Sequence, residues 1–173
     1  EYEELKAIVE ETTRITKSLR GLLNFSRPIT VEKSTVDINA LIEEVIQKTR
    51  FTLGAKEVHF RKTLEKDLPL VKADRGQLEE VISNITVNAI QAFAHKGEVT
   101  FKTRTNASAI YIEIADNGPG IPKENIEKIF QPFFTTKRAG RGTGLGLASA
   151  LETVRAHGGQ IKVDSEPEKG SRF

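Results

Sequence analysis

The 173-residue chain contains no cysteine, methionine or tryptophan. The lack of cysteine excludes disulfides and thiolate metal sites, and it fits a reducing compartment. The 26 basic and 24 acidic residues leave a formal net charge of +2, so nothing in the composition points to nucleic-acid binding. No apolar run approaches the roughly 18 residues that a membrane helix requires. We therefore expect no membrane segment in this chain and a cytoplasmic location, and the start at Glu1 instead of Met suggests a fragment whose parent could still be membrane-anchored.

Residues 1–28 predict a helix with one narrow apolar seam. The seam positions are three or four residues apart, as in coiled coils and helical bundles, and they are Leu5, Ile8, Thr12, Ile15, Leu19 and Leu22. Because so thin a stripe buries little surface alone, the helix needs partner helices; a surface helix lying on its own domain is the alternative. Pro28 ends the helix, since proline lacks a backbone donor and restricts the preceding residue. Residues 29–36 then form a linker.

Residues 37–173 alternate helical and extended patterns, which predicts a second domain of the α+β class. The first helix is capped by Asp37 or Asn39 and runs to about Phe51. Further helices are expected at 74–93, 123–130 and 146–157, and strands at 57–62, 98–105, 109–115 and 160–163. Adjacent strands favour antiparallel pairing, with the helices on one face of the sheet.

Two asparagines stand four residues apart on the predicted helix 74–93. This spacing puts the side-chain amides of Asn84 and Asn88 on one helical face, with Gln91 on the same side. A neutral amide oxygen is a hard ligand suited to Mg²⁺ that already carries phosphate oxygens. A solvated polar helix face is the alternative for these residues taken alone.

A glycine-rich segment, Asp116-Asn117-Gly118-Pro119-Gly120-Ile121, directly follows an apolar strand. An aspartate at a strand end can accept a hydrogen bond from an exocyclic amino group, such as the N6 amino group of a purine. Gly118 and Gly120 allow backbone conformations and a close ligand approach that a Cβ atom resists. A plain turn is the alternative, because Asn-Gly and Gly-Pro are common turn pairs.

A second glycine-rich segment, from Gly140 to Leu147, opens a predicted helix. Glycines there allow backbone N–H groups to converge at a helix N-terminus, which is a ready site for phosphate. The G-x-G-x-G spacing is not the dinucleotide fingerprint, and the chain has no G-x-x-x-x-G-K-[ST] phosphate loop. Lys137, Arg138 and Arg141 add positive charge beside this segment, with a solvated charged loop as the alternative.

Two aromatic residues, Phe133 and Phe134, lie between the glycine-rich segments. Aromatic side chains on such a loop are unfavourable unless they cover something apolar. One prediction is that they form the hinge side of a lid that closes over a nucleotide. The alternative is that they anchor the loop in the core, and the two predictions are compatible.

Together these motifs resemble the ATP-binding domain of two-component sensor histidine kinases, within the gyrase, Hsp90, histidine kinase and MutL superfamily. Four motifs occur in the family's order and spacing. Asn84–Ala89 resembles the N box, Asp116–Gly120 the G1 box, Phe130–Phe134 the F box and Gly142–Leu147 the G2 box. The resemblance implies a Bergerat-type α/β sandwich, with a mixed sheet under three helices and a bundle or coiled-coil helix before it. It also implies ATP held between two of the helices and the lid.

The resemblance further implies roles for individual residues. Asn84, Asn88 and Lys137 would be catalytic, and Asn88 would bind Mg²⁺. Asp116 would meet the adenine amino group. The residues implied in ATP binding are Asn84, Asn88, Gln91, Asp116, Gly118, Gly120, Ile121, Phe133, Phe134, Thr135, Thr136, Lys137, Arg141, Gly142, Thr143, Gly144, Leu145, Gly146 and Leu147. Gln91 stands where many members have a lysine that can reach phosphate, which shifts phosphate neutralisation onto Mg²⁺ and the lid cations.

Residues 1–28 resemble the second helix of the dimerisation and phosphoacceptor domain, which implies a homodimer through this helix in the parent protein. The implied reaction is ATP-dependent phosphorylation of a histidine, followed by transfer to an aspartate of a response-regulator receiver domain. No H-E-x-x-[NT]-P-like acceptor box occurs in this sequence, and His59, His95 and His157 do not lie on a long bundle helix. We therefore expect this chain to bind Mg-ATP without phosphorylating itself.

Two other functions remain open at this point. An ATPase of the gyrase or Hsp90 kind would use a glutamate four residues before the metal-binding asparagine, where this chain has Asn84. Glu80 could activate water only if Asn84 were the metal ligand instead. A non-catalytic interaction module is the third possibility, and the full set of nucleotide motifs argues against it.

Overall fold

The computed structural model describes residues 30–51, 56–137 and 142–173, together with six positions before residue 30. These six are helical, and they are Glu4, Leu5, Ile8, Val9, Thr12 and Thr16. Most of the predicted helix 1–28 therefore lies outside the described residues. Of its seam, Leu5 and Ile8 are 62% and 61% exposed.

Four helices lie in the ranges from residue 30 onward: α1 (Ile38–Arg50), α2 (Arg75–Ala92), α3 (Lys123–Ile126) and α4 (Gly146–Ala156). The first two begin at aspartates whose side chains accept a backbone N–H three residues later. Asp37, not Asn39, is thus the cap of α1. None of the helices in the described part of the chain has the length and apolar character that crossing a bilayer requires.

The strands of the described ranges are β1 (Ser34–Val36), β2 (Glu57–Thr63), β3 (Val71–Ala73), β4 (Lys96–Thr105), β5 (Ile110–Asp116), β6 (Asp164–Glu166) and β7 (Gly170–Arg172). β1 and β3 form a small antiparallel pair, and the others form a five-stranded sheet in the order β2-β4-β5-β7-β6. β2 runs parallel to β4, whereas the remaining neighbours are antiparallel. The α+β class and the mixed sheet that the resemblance implies are confirmed, while the parallel β2–β4 pair departs from the antiparallel pairing expected from the strand order.

The core lies between one face of this sheet and the apolar sides of the helices. Its buried side chains include Leu41, Ile42, Val45 and Ile46 of α1, Val81, Ile82, Ile85 and Ala89 of α2, and Val99, Phe101 and Ile114 of the sheet. The opposite face of the sheet is polar and carries ion pairs between neighbouring strands, such as Lys102 with Glu113. Helices on one sheet face agree with the predicted sandwich.

One strand prediction and the end of the linker prediction differ from the structure. Residues 160–163 were expected to form a strand, but pairing begins only at Asp164. Ile161 is partly buried against the core, so the apolar alternation reflects packing without strand pairing. The end of the predicted linker, Ser34–Val36, pairs with β3 instead, because Val36 is buried in the same core.

Asp74 joins three segments at the start of α2. Its backbone N–H donates to Nε2 of His157 at 3.0 Å, and its Oδ2 accepts from the backbone N–H of Glu32 at 3.2 Å. Nearby, Nε2 of Gln77 donates to the Thr30 carbonyl at 2.8 Å. This contact with the His157 ring fastens the end of α4 to the start of α2.

Phe93, which follows α2, packs against two glycines. A Cβ atom at Gly97 would lie 2.4 Å from ring carbons of Phe93, and one at Gly118 would lie 3.4 Å from the ring. The ring is 5% exposed. Because the glycines leave room for it, Phe93 sets the distance between α2, β4 and the loop after β5.

Asp74→Ala should lower the free energy of unfolding by about 1 kcal/mol, because the N-terminus of α2 loses its capping acceptor. Urea unfolding of the chain measures this. Asp67→Ala is the matched control, since Asp67 is an exposed aspartate outside a helix and its loss should change stability by less than about 0.5 kcal/mol. Equal effects of the two variants would show that Asp74 does not stabilise the helix start.

Gly97→Ala should destabilise the fold by about 1 to 3 kcal/mol, because the new methyl group enters the space of the Phe93 ring. Without a clash, alanine would stabilise the strand relative to glycine. A loss of stability in Gly97→Ala therefore reports the steric clash. Phe93→Leu in the same chain should recover part of the loss, and a double-mutant cycle by urea unfolding measures the coupling. Additive effects would contradict direct packing of the ring on Gly97.

Candidate functional site

A cavity of about 530 Å³ opens beside α2, between the loop after β5 and the segment before α4. Its volume falls in the range of roughly 300–1,000 Å³ that is typical of small-molecule sites. The sequence-predicted residues that line it are Asn84, Asn88, Gln91, Asp116, Gly120, Ile121, Phe134, Thr135, Thr136, Lys137, Gly142, Thr143, Gly144, Gly146 and Leu147. The fold thus brings the N, G1, F and G2 segments together around one space.

Three of the predicted residues that the structure describes, Gly118, Phe133 and Leu145, are not among those that line the cavity. Arg141 lies outside the described residues, as does Arg138. Gly118 lies behind the cavity wall against Phe93, and the Leu145 side chain is buried. Phe133 is 60% exposed, so of the aromatic pair Phe134 alone lines the cavity.

The cavity is also lined by residues that were not predicted to bind ATP. They are Val87, Ala89, Ala92, Pro119, Pro122, Asn125, Ile129, Ser171 and Phe173. The residues on α2 and in the loop are neighbours of predicted ones and could have been found by proximity. Ser171 had no such signal: it reaches the site because β5 pairs with β7, which places it opposite Asp116.

The exposed face of α2 supplies two amides with different surroundings. The side-chain amide of Asn84 donates to the Gly146 carbonyl at 3.3 Å and so contacts the first turn of α4. Asn88 directs Oδ1 toward Lys137, whose ammonium group donates to it at 3.0 Å. The same ammonium group donates to Oε1 of Gln91. Asn84 thus joins two walls of the cavity, while the Asn88 oxygen already binds a cation.

Asp116 is the acidic residue of the opposite wall. Its Oδ1 accepts the backbone N–H of Gly118 at 2.8 Å, an arrangement that holds the carboxylate at the strand end. Burial raises the pKa of the Asp116 carboxyl above its ordinary value, and hydrogen bonds from Gly118 and Ser171 oppose part of this shift. A half-buried carboxylate with a raised pKa is well suited to accept a hydrogen bond from a ligand amino group.

Backbone contacts that require glycine hold the two glycine-rich segments in place. Gly144 has a φ of +68°, and a Cβ atom there would lie 2.4 Å from the carbonyl carbon of Phe133. Its carbonyl accepts the N–H of Phe133 at 3.0 Å. Gly120 has a φ of +71°, and a Cβ atom would lie 2.0 Å from the Glu166 carbonyl oxygen. These close approaches shape the cavity walls.

The residues present fit a magnesium nucleotide. The cavity has the half-buried Asp116 carboxylate for a base amino group, and its glycine segment leads into the N-terminus of α4, where phosphate is favoured. The Lys137 ammonium group donates a hydrogen bond to the Asn88 side-chain oxygen. This oxygen therefore faces a position that a cation can occupy. Among the described residues no group of three or more histidines and acidic residues could hold a metal alone, so phosphate oxygens would have to complete the coordination.

Comparison with known proteins agrees with this geometry. Residues 73–173 match the family model described as histidine kinase-, DNA gyrase B-, and HSP90-like ATPase. The signal transduction histidine-protein kinase AtoS of Escherichia coli strain K12 is 39% identical over 172 residues, which cover 99% of this chain and 28% of AtoS. The chain thus spans less than a third of that relative.

Two solved structures extend the comparison to three dimensions. Full-length ShkA in complex with AMPPNP matches with a TM-score of 0.87 and 25% identity, over 99% of this chain and 37% of ShkA. Histidine kinase ThkA in complex with the response regulator protein TrrA matches with a TM-score of 0.78 and 26% identity, over 99% of this chain and 49% of that one. The chain therefore belongs to the histidine kinase-, DNA gyrase B- and HSP90-like ATPase family, as an ATP-binding catalytic domain of the sensor histidine kinase type.

Proposed function

We propose that this domain binds Mg-ATP in the cavity beside α2, and that its parent protein uses the bound ATP to phosphorylate a histidine. The observation that carries the proposal is the pairing of Asn88 with an ammonium group on one wall and the half-buried Asp116 carboxylate on another. One wall suits a metal and phosphates, whereas the other suits the amino group of a base. The complex of ShkA with AMPPNP, an ATP analogue, supports the nucleotide class.

Each group of residues has a distinct part in this proposal. Asp116 accepts the adenine amino group, and the backbone N–H groups of residues 142–147 bind phosphate oxygens. Asn88 provides the protein ligand to Mg²⁺, and Asn84 positions α4 through its contact with Gly146. Thr135, Thr136 and Lys137 approach the phosphates from the lid. Magnesium would neutralise charge on the transferring phosphoryl group when it is bound.

The cavity supports phosphoryl transfer to an external acceptor better than hydrolysis of ATP. Asn84 stands where a gyrase-type ATPase needs a base, and an amide cannot take a proton from water. Glu80 is exposed and is not among the residues that line the cavity. Among the described lining residues Asp116 is the only acidic one, and the proposal assigns it to the base.

The acceptor histidine belongs to a part of the parent protein that precedes this chain. His59, His95 and His157 are not among the residues that line the cavity, and both ring nitrogens of His157 are in contact with backbone groups. The parent protein dimerises through residues 1–28, which the sequence predicts to be a helix, and the phosphoryl group passes to an aspartate of a response-regulator receiver domain. The structure of ThkA with TrrA supports the choice of partner.

Calorimetric titration with AMPPNP, with and without Mg²⁺, tests the site. Asp116→Ala should weaken binding about 10-fold or more in both conditions, which is about 1.4 kcal/mol, because the base loses its acceptor. Asn88→Ala should weaken binding mainly when Mg²⁺ is present. Glu80→Gln is the control and should bind like the wild type.

Three results would contradict the proposal. The first is that the wild-type chain does not bind the analogue. The second is that Asn88→Ala loses no affinity in Mg²⁺, and the third is that Asp116→Ala binds as tightly as the wild type. Rapid steady-state ATP hydrolysis that disappears in Glu80→Gln would favour an ATPase instead.

Binding should also weaken as the pH is lowered. Because burial raises the pKa of Asp116, its carboxylate takes up a proton at a higher pH than an exposed aspartate, whose pKa is about 3.9. The Asp116 carboxylate is therefore ionised well above its raised pKa, and it becomes protonated as the pH falls through that pKa. Asp116→Asn does not titrate, so the ratio of wild-type to Asp116→Asn affinity for AMPPNP should fall toward low pH.

Protonation of the nucleotide phosphates changes the affinity of both proteins alike, so its effect cancels in the ratio of the two affinities. A ratio that stays constant over the range in which the wild type remains folded would show that the Asp116 carboxylate does not accept from the base.

A further inference from the structure

The ammonium group of Lys137 lies between two amide oxygens of α2. It donates to Asn88 Oδ1 at 3.0 Å and to Gln91 Oε1 at 2.5 Å. The two acceptors are three residues apart and so lie on one face of the helix. One cation therefore bridges both amides at the position that the proposed function assigns to the metal.

The backbone of Lys137 is held as well as its head group. Its N–H donates to Thr135 Oγ1 at 3.2 Å. A Cβ atom at Gly142 would lie 3.1 Å from Cδ of Lys137 and 2.9 Å from Thr135 Oγ1, so the lysine stem lies directly along that glycine. A lysine with its backbone, stem and ammonium group in contact with protein differs from an ordinary solvated lysine.

We infer that the Asn88 oxygen binds two cations in alternation, the Lys137 ammonium group and Mg²⁺, and that Gln91 positions the ammonium group for this exchange. The inference rests on the proposed magnesium–nucleotide site. A dication and an ammonium group at one oxygen repel each other strongly, so Mg²⁺ binds there only when the ammonium group leaves. Gln91 gives the ammonium group a second acceptor and thereby opposes that departure.

This role gives Gln91→Ala an effect opposite to that of losing an ordinary ligand contact. If Gln91 simply contacted the nucleotide, its removal would weaken binding. If it holds the competing ammonium group, its removal makes the ammonium group easier to displace and strengthens Mg²⁺-dependent binding. The sign of the change therefore separates the two roles.

The first experiment measures the accessibility of the Lys137 amine without nucleotide. A short pulse of acetic anhydride followed by peptide mass spectrometry gives the acetylation rate of each lysine. Gln91→Ala should speed the acetylation of Lys137 by about 3- to 10-fold, as expected for the loss of one hydrogen bond. The exposed Lys128 is the internal reference, and Gln160→Ala, at an exposed position that is not among the cavity-lining residues, is the matched control variant. An unchanged Lys137 rate in Gln91→Ala would overturn the inference.

The second experiment measures the affinity for AMPPNP by calorimetry in saturating Mg²⁺ and in EDTA. Gln91→Ala should raise the ratio of the two affinities by about 3- to 10-fold, and Gln160→Ala should leave it unchanged. A ratio that is equal to or below the wild-type ratio would overturn the exchange of cations while leaving the nucleotide site intact. Failure of the wild-type chain to bind AMPPNP would overturn both the proposed function and the exchange, and faster acetylation in Gln91→Ala would then report the contact alone.

Discussion

The packing of α2 against the sheet is the constraint on which the site depends. Ile82, Ile85 and Ala89 are buried in the core, so the helix cannot rotate without exposing them. The same register directs Asn84, Asn88 and Gln91 into the cavity. Both helix ends are held, since Asp74 caps the start and the Lys56 ammonium group donates to the carbonyls of Ile90 and Phe93 at the end. Core packing thus places the polar face of α2.

The remaining walls combine fixed and exchangeable contacts. Close backbone approaches at Gly120 and Gly144 leave little freedom to the two glycine-rich segments, because no side chain could be moved aside to relieve a change there. The contact of Lys137 with α2 is different, since it consists of hydrogen bonds from one long side chain. Walls built this way would keep their shape during the proposed exchange of cations on Asn88.

Sequence patterns predicted those features of the structure that depend only on neighbouring residues. The bounds of α1 and α2 follow from apolar periodicity and capping aspartates, and the spacing of Asn84 and Asn88 follows from the helix. Strands of three residues, such as β1 and β7, have no period to detect, and residues 160–163 alternate without pairing. Ser171 reaches the cavity through strand pairing across more than 50 residues, and the Lys137–Asn88 contact depends on tertiary structure. Neither has a signal in nearby sequence.

We propose that a magnesium nucleotide lies between the amides of α2 and the glycine segment before α4. Titration of isotope-labelled chain with Mg-AMPPNP, followed by ¹⁵N-resolved NMR, tests this most directly. We expect the largest chemical-shift changes at the side-chain amides of Asn84 and Asn88 and at the backbone amides of residues 142–147. Changes on the outer face of the sheet should be smaller. Shift changes confined to other surfaces, or their absence at saturating nucleotide, would contradict it.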